Sequence, residues 1–262
     1  MCLAGLVVAI RADDPAIRTL MLRAFTPFSA TSSGDPDARL DLRFEPAAIW
    51  IDGSPEPRAD VAGDVIRVEH RDFVGVIGAE GTQLVAVVPR DVLSIENALR
   101  VLYALLLIRH DGLLLHAAGV VREPGATVLF GRSGSGKTTA ARLARGRPVL
   151  GDDLVALRRG PSGWCAHATP FGGLAARRRR ARSAPLRELF RLRQGPAFEA
   201  RPLAAARGVA ELLQSAVLPA ALPADRVLAL ERCGALLAEV GVQELVFPLD
   251  NGLWRWLDGR TG

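Results

Sequence analysis

Apolar positions divide the 262-residue chain into short elements separated by Gly, Pro and charged residues. Residues 4–10 (AGLVVAI) predict a buried strand, 15–25 (PAIRTLMLRAF) a short helix and 39–51 an extended stretch, with 31–36 (TSSGDP) as a loop. Extended stretches at 65–69, 73–77 and 83–88, broken by Arg71 and Asp72 and then by GAEG at 78–81, predict small antiparallel hairpins. Ser94 offers an N-cap with Glu96 and Asn97 in the first turn, and Leu99, Leu102, Leu105 and Leu106 keep helical spacing to about Arg109. Beyond that bridging helix, LLLHAAGVV (113–121), REPG (122–125) and ATVLFG (126–131) predict a hairpin whose second strand runs directly into a Gly-rich loop. A helix from about Thr138 to Arg145 stops at Gly146, with Pro148 just beyond. PVLGDD (148–153), LVALRR (154–159), a GPSG turn and WCAHATPF (164–171) predict a second hairpin. Two helical stretches at about 203–217 and 224–239 precede QELVFPLD (243–250) and a strand-like aromatic end, LWRWL (253–257), in which Trp254 and Trp256 are packing residues. No internal repeat is present.

The pattern separates an α+β N-terminal part, 1–93, open to a substrate-binding role, from a part at 94–262 that carries the recognisable chemistry. With 49% apolar residues the chain has material for a packed core. The longest apolar runs, 101–108 and 113–121, are bounded by Arg109, His110 and Asp111 and fall short of the ~20 residues of a membrane span. Arg11, Asp13 and Asp14 follow the first apolar stretch too soon for a signal peptide. Cys2, Cys165 and Cys233 are odd in number and widely spaced, which excludes a disulfide framework and a CxxC site. A cytoplasmic protein without a membrane partner is the expectation.

The net charge is +5, from 33 basic and 28 acidic residues, and 32 of the basic residues are Arg. Residues 1–110 carry 11 Arg against 15 acids, whereas 111–262 carry 22 basic residues against 13 acids. The excess in the second part fits an anionic partner, whether nucleotide phosphate, acidic peptide or nucleic acid, and equally fits a surface solvated with Arg by codon habit.

The single Lys, Lys137, lies in GRSGSGKT (131–138), which matches G-x-x-x-x-G-K-[ST] at every fixed position. Gly131, Gly134 and Gly136 let backbone N–H groups turn inward around phosphate, and Arg132, Ser133, Ser135 and Thr139 complete the expected nucleotide-binding stretch. Lys137 supplies a compact charge for the β- and γ-phosphates, which a planar guanidinium does not. The Thr138 hydroxyl is a ligand for Mg²⁺. Asp152 and Asp153 follow the short apolar stretch Val149–Leu150 and offer one carboxylate to Mg²⁺ and one as base toward an attacking hydroxyl, in an order the sequence leaves open. Counting outward from the hairpin turn puts residue 131 opposite about residue 117, so His116 is expected at the loop mouth, where it would contact a carboxylate or phosphate.

Together, HAAGVV (116–121), FGRSGSGKTTAARLA (130–144) and VLGDDLVALRR (149–159) resemble the HPr kinase/phosphorylase family and its shorter serine-kinase relatives, including those of peptide natural-product clusters such as the lasso-peptide precursor kinases. The close match covers about 112–172, with weaker similarity at ELVFPLD (244–250). The resemblance implies an α/β P-loop kinase domain of the phosphoenolpyruvate-carboxykinase/HPr-kinase type with a mixed sheet. It also implies ATP-dependent phosphorylation of a Ser hydroxyl, and it maps His116, Asp152 and Asp153 onto the family's active-site His and paired Asp. With the residues read above, the expectation is an ATP- and Mg²⁺-dependent kinase acting on a Ser or Thr hydroxyl of a small protein or precursor peptide, with Lys137 neutralising the developing charge.

The chain departs from HPr kinase itself after the paired Asp. No acidic residue occurs between Asp153 and Glu188, and TPFGGLAARRRRAR (169–182) stands there instead. Arg177, Arg178, Arg179, Arg180 and Arg182, continued by Arg187, Arg191 and Arg193, fit either a docking segment for an acidic acceptor or a solvated charge run. A small-molecule kinase and a non-catalytic nucleotide-dependent chaperone or regulator are the rival readings. Nucleic-acid binding through 177–193 is disfavoured because only Phe190 interleaves with the Arg residues. A homo-oligomer is compatible with the sequence, and His110 and His167 have no metal-spaced partners.

Overall fold

The computed structural model describes residues 1–30, 34–45, 58–78, 80–172, 180–218, 223–248 and 250–260. The extended stretch expected beyond residue 45, half of the 31–36 loop and Arg177, Arg178 and Arg179 lie outside the described residues. The chain divides into two compact units, Met1–His110 with Val217–Leu228, and Asp111–Ala216 with Ala229–Gly262. Residues 94–110 thus cluster with the first unit.

In the first unit, β1 (Cys2–Leu3), β2 (Leu6–Ala12), α1 (Pro15–Phe25), β3 (Ala38–Phe44), β4 (Arg58–Ala62), β5 (Val65–His70), β6 (Phe73–Gly78), β7 (Gln83–Val88) and α2 (Val92–Arg109) follow in order. The sheet order is β1-β2-β3-β7-β6-β5-β4, with β2, β3 and β7 parallel and β4 to β7 an antiparallel meander, so the sheet is mixed. Alternation explains the core face: Leu40 and Leu42 of β3 and Leu84, Ala86 and Val88 of β7 are buried while the residues between them are not. α2 is apolar nearly all round and packs against β3, β6 and β7, which is why it belongs to this unit. Its N-cap is Asp91, not Ser94: both the backbone N–H and the hydroxyl of Ser94 donate to the Asp91 carboxylate. Both bonds end on one carboxylate oxygen, Oδ2, whose negative charge also suits a helix N-terminus. At the other end Arg109 makes a two-pronged ion pair with buried Asp225.

The second unit contains β8 (Gly112–Arg122), β9 (Gly125–Phe130), α3 (Lys137–Leu143), β10 (Val149–Gly151), β11 (Leu154–Gly160), β12 (Gly163–His167), β13 (Ser183–Gln194), β14 (Glu199–Pro202), α4 (Ala205–Ser215), most of α5 (Pro223–Val240), β15 (Gln243–Phe247) and α6 (Leu253–Asp258). β9, β13 and β15 are parallel, and β8 pairs antiparallel with β9 on one edge and with β10 and β11 on the other. β11 continues through β12 to β13, so the pairing closes a ring β8–β11–β12–β13–β9. Both units are thus mixed α/β with mixed sheets.

One core cluster decides where the glycine-rich loop sits. Ala118, Val120, Leu129, Phe190, Leu192, Leu245 and Phe247 from four strands pack against Ala140, Ala141 and Ala144 of the α3 region and against Leu253, Trp254 and Leu257. Alanines on α3 let it approach the sheet closely. The last three residues show that 253–257 is a helix, not a strand. Spacing of i, i+1 and i+4 lines one helical face, and the Trp254/Trp256 alternation over five residues was too short to tell the two periods apart.

Candidate functional site

β9 is buried at all six positions and leaves the sheet between β8 and β13 directly into residues 131–136. Gly131, Gly134 and Gly136 have φ of +145°, +77° and +104°, a backbone that L side chains rarely adopt. A Cβ on Gly131 would also lie 3.1 Å from the Leu192 carbonyl oxygen and 3.2 Å from Ser135 Oγ. Gly136 is the N-cap of α3 and offers no side-chain cap, which leaves the first-turn N–H groups of the helix for an anion. Ser135 N–H donates to the Arg132 carbonyl at 3.1 Å, and Gln194 Nε2, at the end of β13, donates to the Gly134 carbonyl at 2.5 Å. Ser135 Oγ is buried inside the loop without a hydrogen-bond partner.

Lys137 Nζ donates to the carbonyls of Gly131 (2.6 Å) and Arg132 (3.0 Å), which folds the ammonium back over the loop. Partial burial lowers its pKa, and the charge of Asp153 pulls in the opposite direction. Thr138, the next residue, donates its hydroxyl to the main-chain carbonyl of Asp152 at 3.4 Å.

The two carboxylates occupy the join between β10 and β11, both of which pair with β8, and the ladder shifts register just before them, between Val149 and Gly151. Ala117 N–H donates to the Asp153 carbonyl at 3.0 Å, and Leu154 pairs with His116. Asp152 is 5% exposed, whereas the Asp153 side chain is 41% exposed and its Oδ1 lies 3.8 Å from His116 Nδ1. The β8–β9 register pairs Ala117 with Phe130, so His116 falls opposite Gly131, within one residue of the expected position. Its neighbours on the strand are buried but its own side chain is half exposed, as a residue facing the loop mouth rather than the core should be.

His116, Lys137 and Asp153 are therefore brought together, and Thr138 meets Asp152 through that residue's backbone. Arg132 and Ser133 are exposed, and Thr139 is half-buried on α3. Among the described residues no group of three or more His, Cys, Asp or Glu assembles as a metal site. The donors present, a hydroxyl and two carboxylates, are the hard oxygen ligands that suit Mg²⁺ shared with phosphate.

Two supporting residues carried no signal in the sequence. Gln194 holds the loop from 60 positions away, and Trp254, 2% exposed, donates its indole N–H to the Ala140 carbonyl at 2.9 Å. That carbonyl needs an outside donor because Ala144 N–H bonds to Ala141 instead.

The Arg-rich segment is not one charged surface. Arg187, Arg191 and Arg193 lie on β13, whose Phe190 and Leu192 face the core. Arg191 is 9% exposed and paired with Glu211 and Glu244, and Arg193 also reaches Glu244. The strand alternation was hidden because a buried, paired Arg reads in sequence like a solvated one. Arg180 and Arg182 are exposed and precede the strand.

No curated protein matches the chain. Among solved structures it is similar to the Hpr(Ser) kinase/phosphatase from Coxiella burnetii, at 12% identity and a TM-score of 0.32, over 56% of this chain and 97% of that one. The family model for the SynChlorMet cassette protein ScmC matches residues 87–225, just over half of the chain. That stretch contains α2, the β8–β9 hairpin, the glycine-rich loop, His116 and both carboxylates, and on this match the chain belongs to the ScmC family.

Proposed function

We propose that this protein is an ATP- and Mg²⁺-dependent kinase that transfers the γ-phosphoryl group to a Ser or Thr hydroxyl of a small protein or precursor peptide. The observation that carries the reading is the convergence of Lys137, His116 and Asp153 at a glycine-rich loop whose helix N-terminus carries no side-chain cap. The loop N–H groups bind phosphate oxygens, and Lys137 exchanges its two carbonyl contacts for the β- and γ-phosphates. Asp153, exposed and beside His116, accepts the proton of the attacking hydroxyl as the oxygen–phosphorus bond forms and the bond to the β-phosphate oxygen breaks. His116 orients that carboxylate and takes up part of its charge change. Thr138 and Asp152 would hold Mg²⁺, which would supply positive charge against the phosphates. ADP and the phosphorylated acceptor leave.

The test is transfer from radiolabelled ATP to peptides encoded beside this gene. Lys137→Ala, Asp152→Asn and Asp153→Asn should each lower transfer by at least about a thousandfold while far-UV circular dichroism stays unchanged. Transfer retained in any of them sinks the mechanism. ATP binding without transfer to any acceptor makes the protein a nucleotide-dependent regulator instead.

A further inference from the structure

The second unit holds a cationic cavity that the chemistry above does not use. It measures about 500 Å³ and is lined by Arg142 in the last turn of α3, Arg145 and Arg147 on the turn that leads to β10, and Arg180 and Arg182 ahead of β13. Its floor is apolar, from Ala141, Ala144 and Val149. Arg147 is committed to Asp258 at 2.5 Å. Among the described residues the other four guanidinium groups have no acidic partner, although Arg191, Arg193, Arg201 and Arg207 of the same unit all reach carboxylates. Four unneutralised guanidiniums from two chain segments that sequence alone does not bring together make a surface complementary to several carboxylates spread over a polypeptide, rather than to one small anion.

The cavity also lies close along the chain to the candidate reacting groups. Val149 lines it and begins β10, and Asp152 follows three residues later, at most about 10 Å along the chain. Among the described strands β10 is paired on one edge only, to β8. We propose that this cavity docks an acidic segment of the acceptor polypeptide, with Asp or Glu about three to five residues from the hydroxyl that is phosphorylated. The inference rests on the kinase reading and specifies its acceptor.

Two measurements separate the inference from that reading. In the first, fluorescence anisotropy follows a labelled Ser-containing peptide with three Glu placed three to five residues from the Ser, alongside an all-Ala counterpart and a single-stranded oligonucleotide competitor. In the second, phosphoryl transfer is measured to the same two peptides, built with the acidic block on either side of the Ser. The acidic peptide should exceed the Ala peptide by about tenfold in binding and in kcat/KM in one orientation, what two or three partly screened carboxylate–guanidinium pairs supply, and the gap should close at high salt. In the double variant Arg142→Glu with Arg145→Glu the preference should pass to a Lys-flanked peptide, which a merely structural role for these residues would not produce. Equal use of acidic and Ala peptides, an unchanged preference in the charge-reversed variant, or tighter binding of the oligonucleotide overturns the docking inference. Acidic binding with no transfer in the wild type overturns the kinase reading and leaves the docking site standing.

Discussion

Trp254→Phe tests how the glycine-rich loop and α3 are held from behind. The indole N–H is the partner of the Ala140 carbonyl, which the last turn of α3 leaves without an intrahelical donor. Removing it orphans a buried acceptor, at about 1–3 kcal/mol. The smaller ring forfeits roughly another 1 kcal/mol of apolar burial at a site only 2% exposed. The expected loss is about 2–4 kcal/mol, a fall of about 1 M in the urea midpoint at an ordinary slope for a domain of this size. The assay is urea denaturation by far-UV circular dichroism, since Trp50, Trp164 and Trp256 would confuse fluorescence. Native-state hydrogen exchange should show α3 amides exchanging faster while those of β9 and β13 keep their protection. Trp256→Phe is the control: its ring stacks on Phe198 at 5.5 Å, and it is less buried, so the substitution should cost under about 1 kcal/mol. A midpoint shift below about 0.2 M for Trp254→Phe, or equal shifts for the two variants, would refute the anchoring argument.

Two further outcomes follow from buried charge. Glu244, whose side chain is 2% exposed, resists ionisation by its burial, but Arg201 at 2.7 Å, Arg193 and Arg191 outweigh this and hold its carboxyl below the usual range. Its contribution is complete above the unfolded carboxyl value and is lost as pH falls through the lower folded one. Glu244→Gln should therefore cost about 3 kcal/mol in urea denaturation at pH 7 and clearly less at pH 3, and a cost independent of pH would contradict it. Burial, aided by the charge of Arg158, pushes the His167 imidazole down from 6.5 to about 4. The unfolded chain thus takes up this proton first, and stability should fall by up to about 3 kcal/mol between pH 6.5 and pH 4. His167→Gln should flatten that part of a pH-dependent melting curve, and an unchanged curve would show that the imidazole is not desolvated.

Much of the candidate site's local geometry was legible along the chain because it is carried by neighbours in sequence. The eight residues 131–138 contain the left-handed glycines, the Lys and the helix start, and each requirement is local. His116 could be found by counting from a hairpin turn, since an antiparallel ladder converts sequence distance into position, and the observed register differs by one residue. The strands at 65–70, 73–78 and 83–88 were equally local, with one face buried and one open.

What tertiary structure alone decided involves partners far apart in sequence or patterns that two structures share. LWRWL satisfied a two-residue alternation and a helical face alike, and only packing on α3 selected the helix. The Arg residues of 187–193 could not be sorted in sequence because burial depends on which carboxylates the fold brings near: Glu211 and Glu244 reach Arg191 from 20 and 53 positions away. The same folding leaves Arg142, Arg145, Arg180 and Arg182 together and unneutralised. Sequence by itself determined the loop, its Lys, the paired Asp and most of the strands, because backbone conformation and short-range hydrogen bonds require particular residues at fixed spacing. Which charges are buried, which helix end is anchored and which cations remain for a partner depended on long-range packing, where no periodicity records who the neighbour will be.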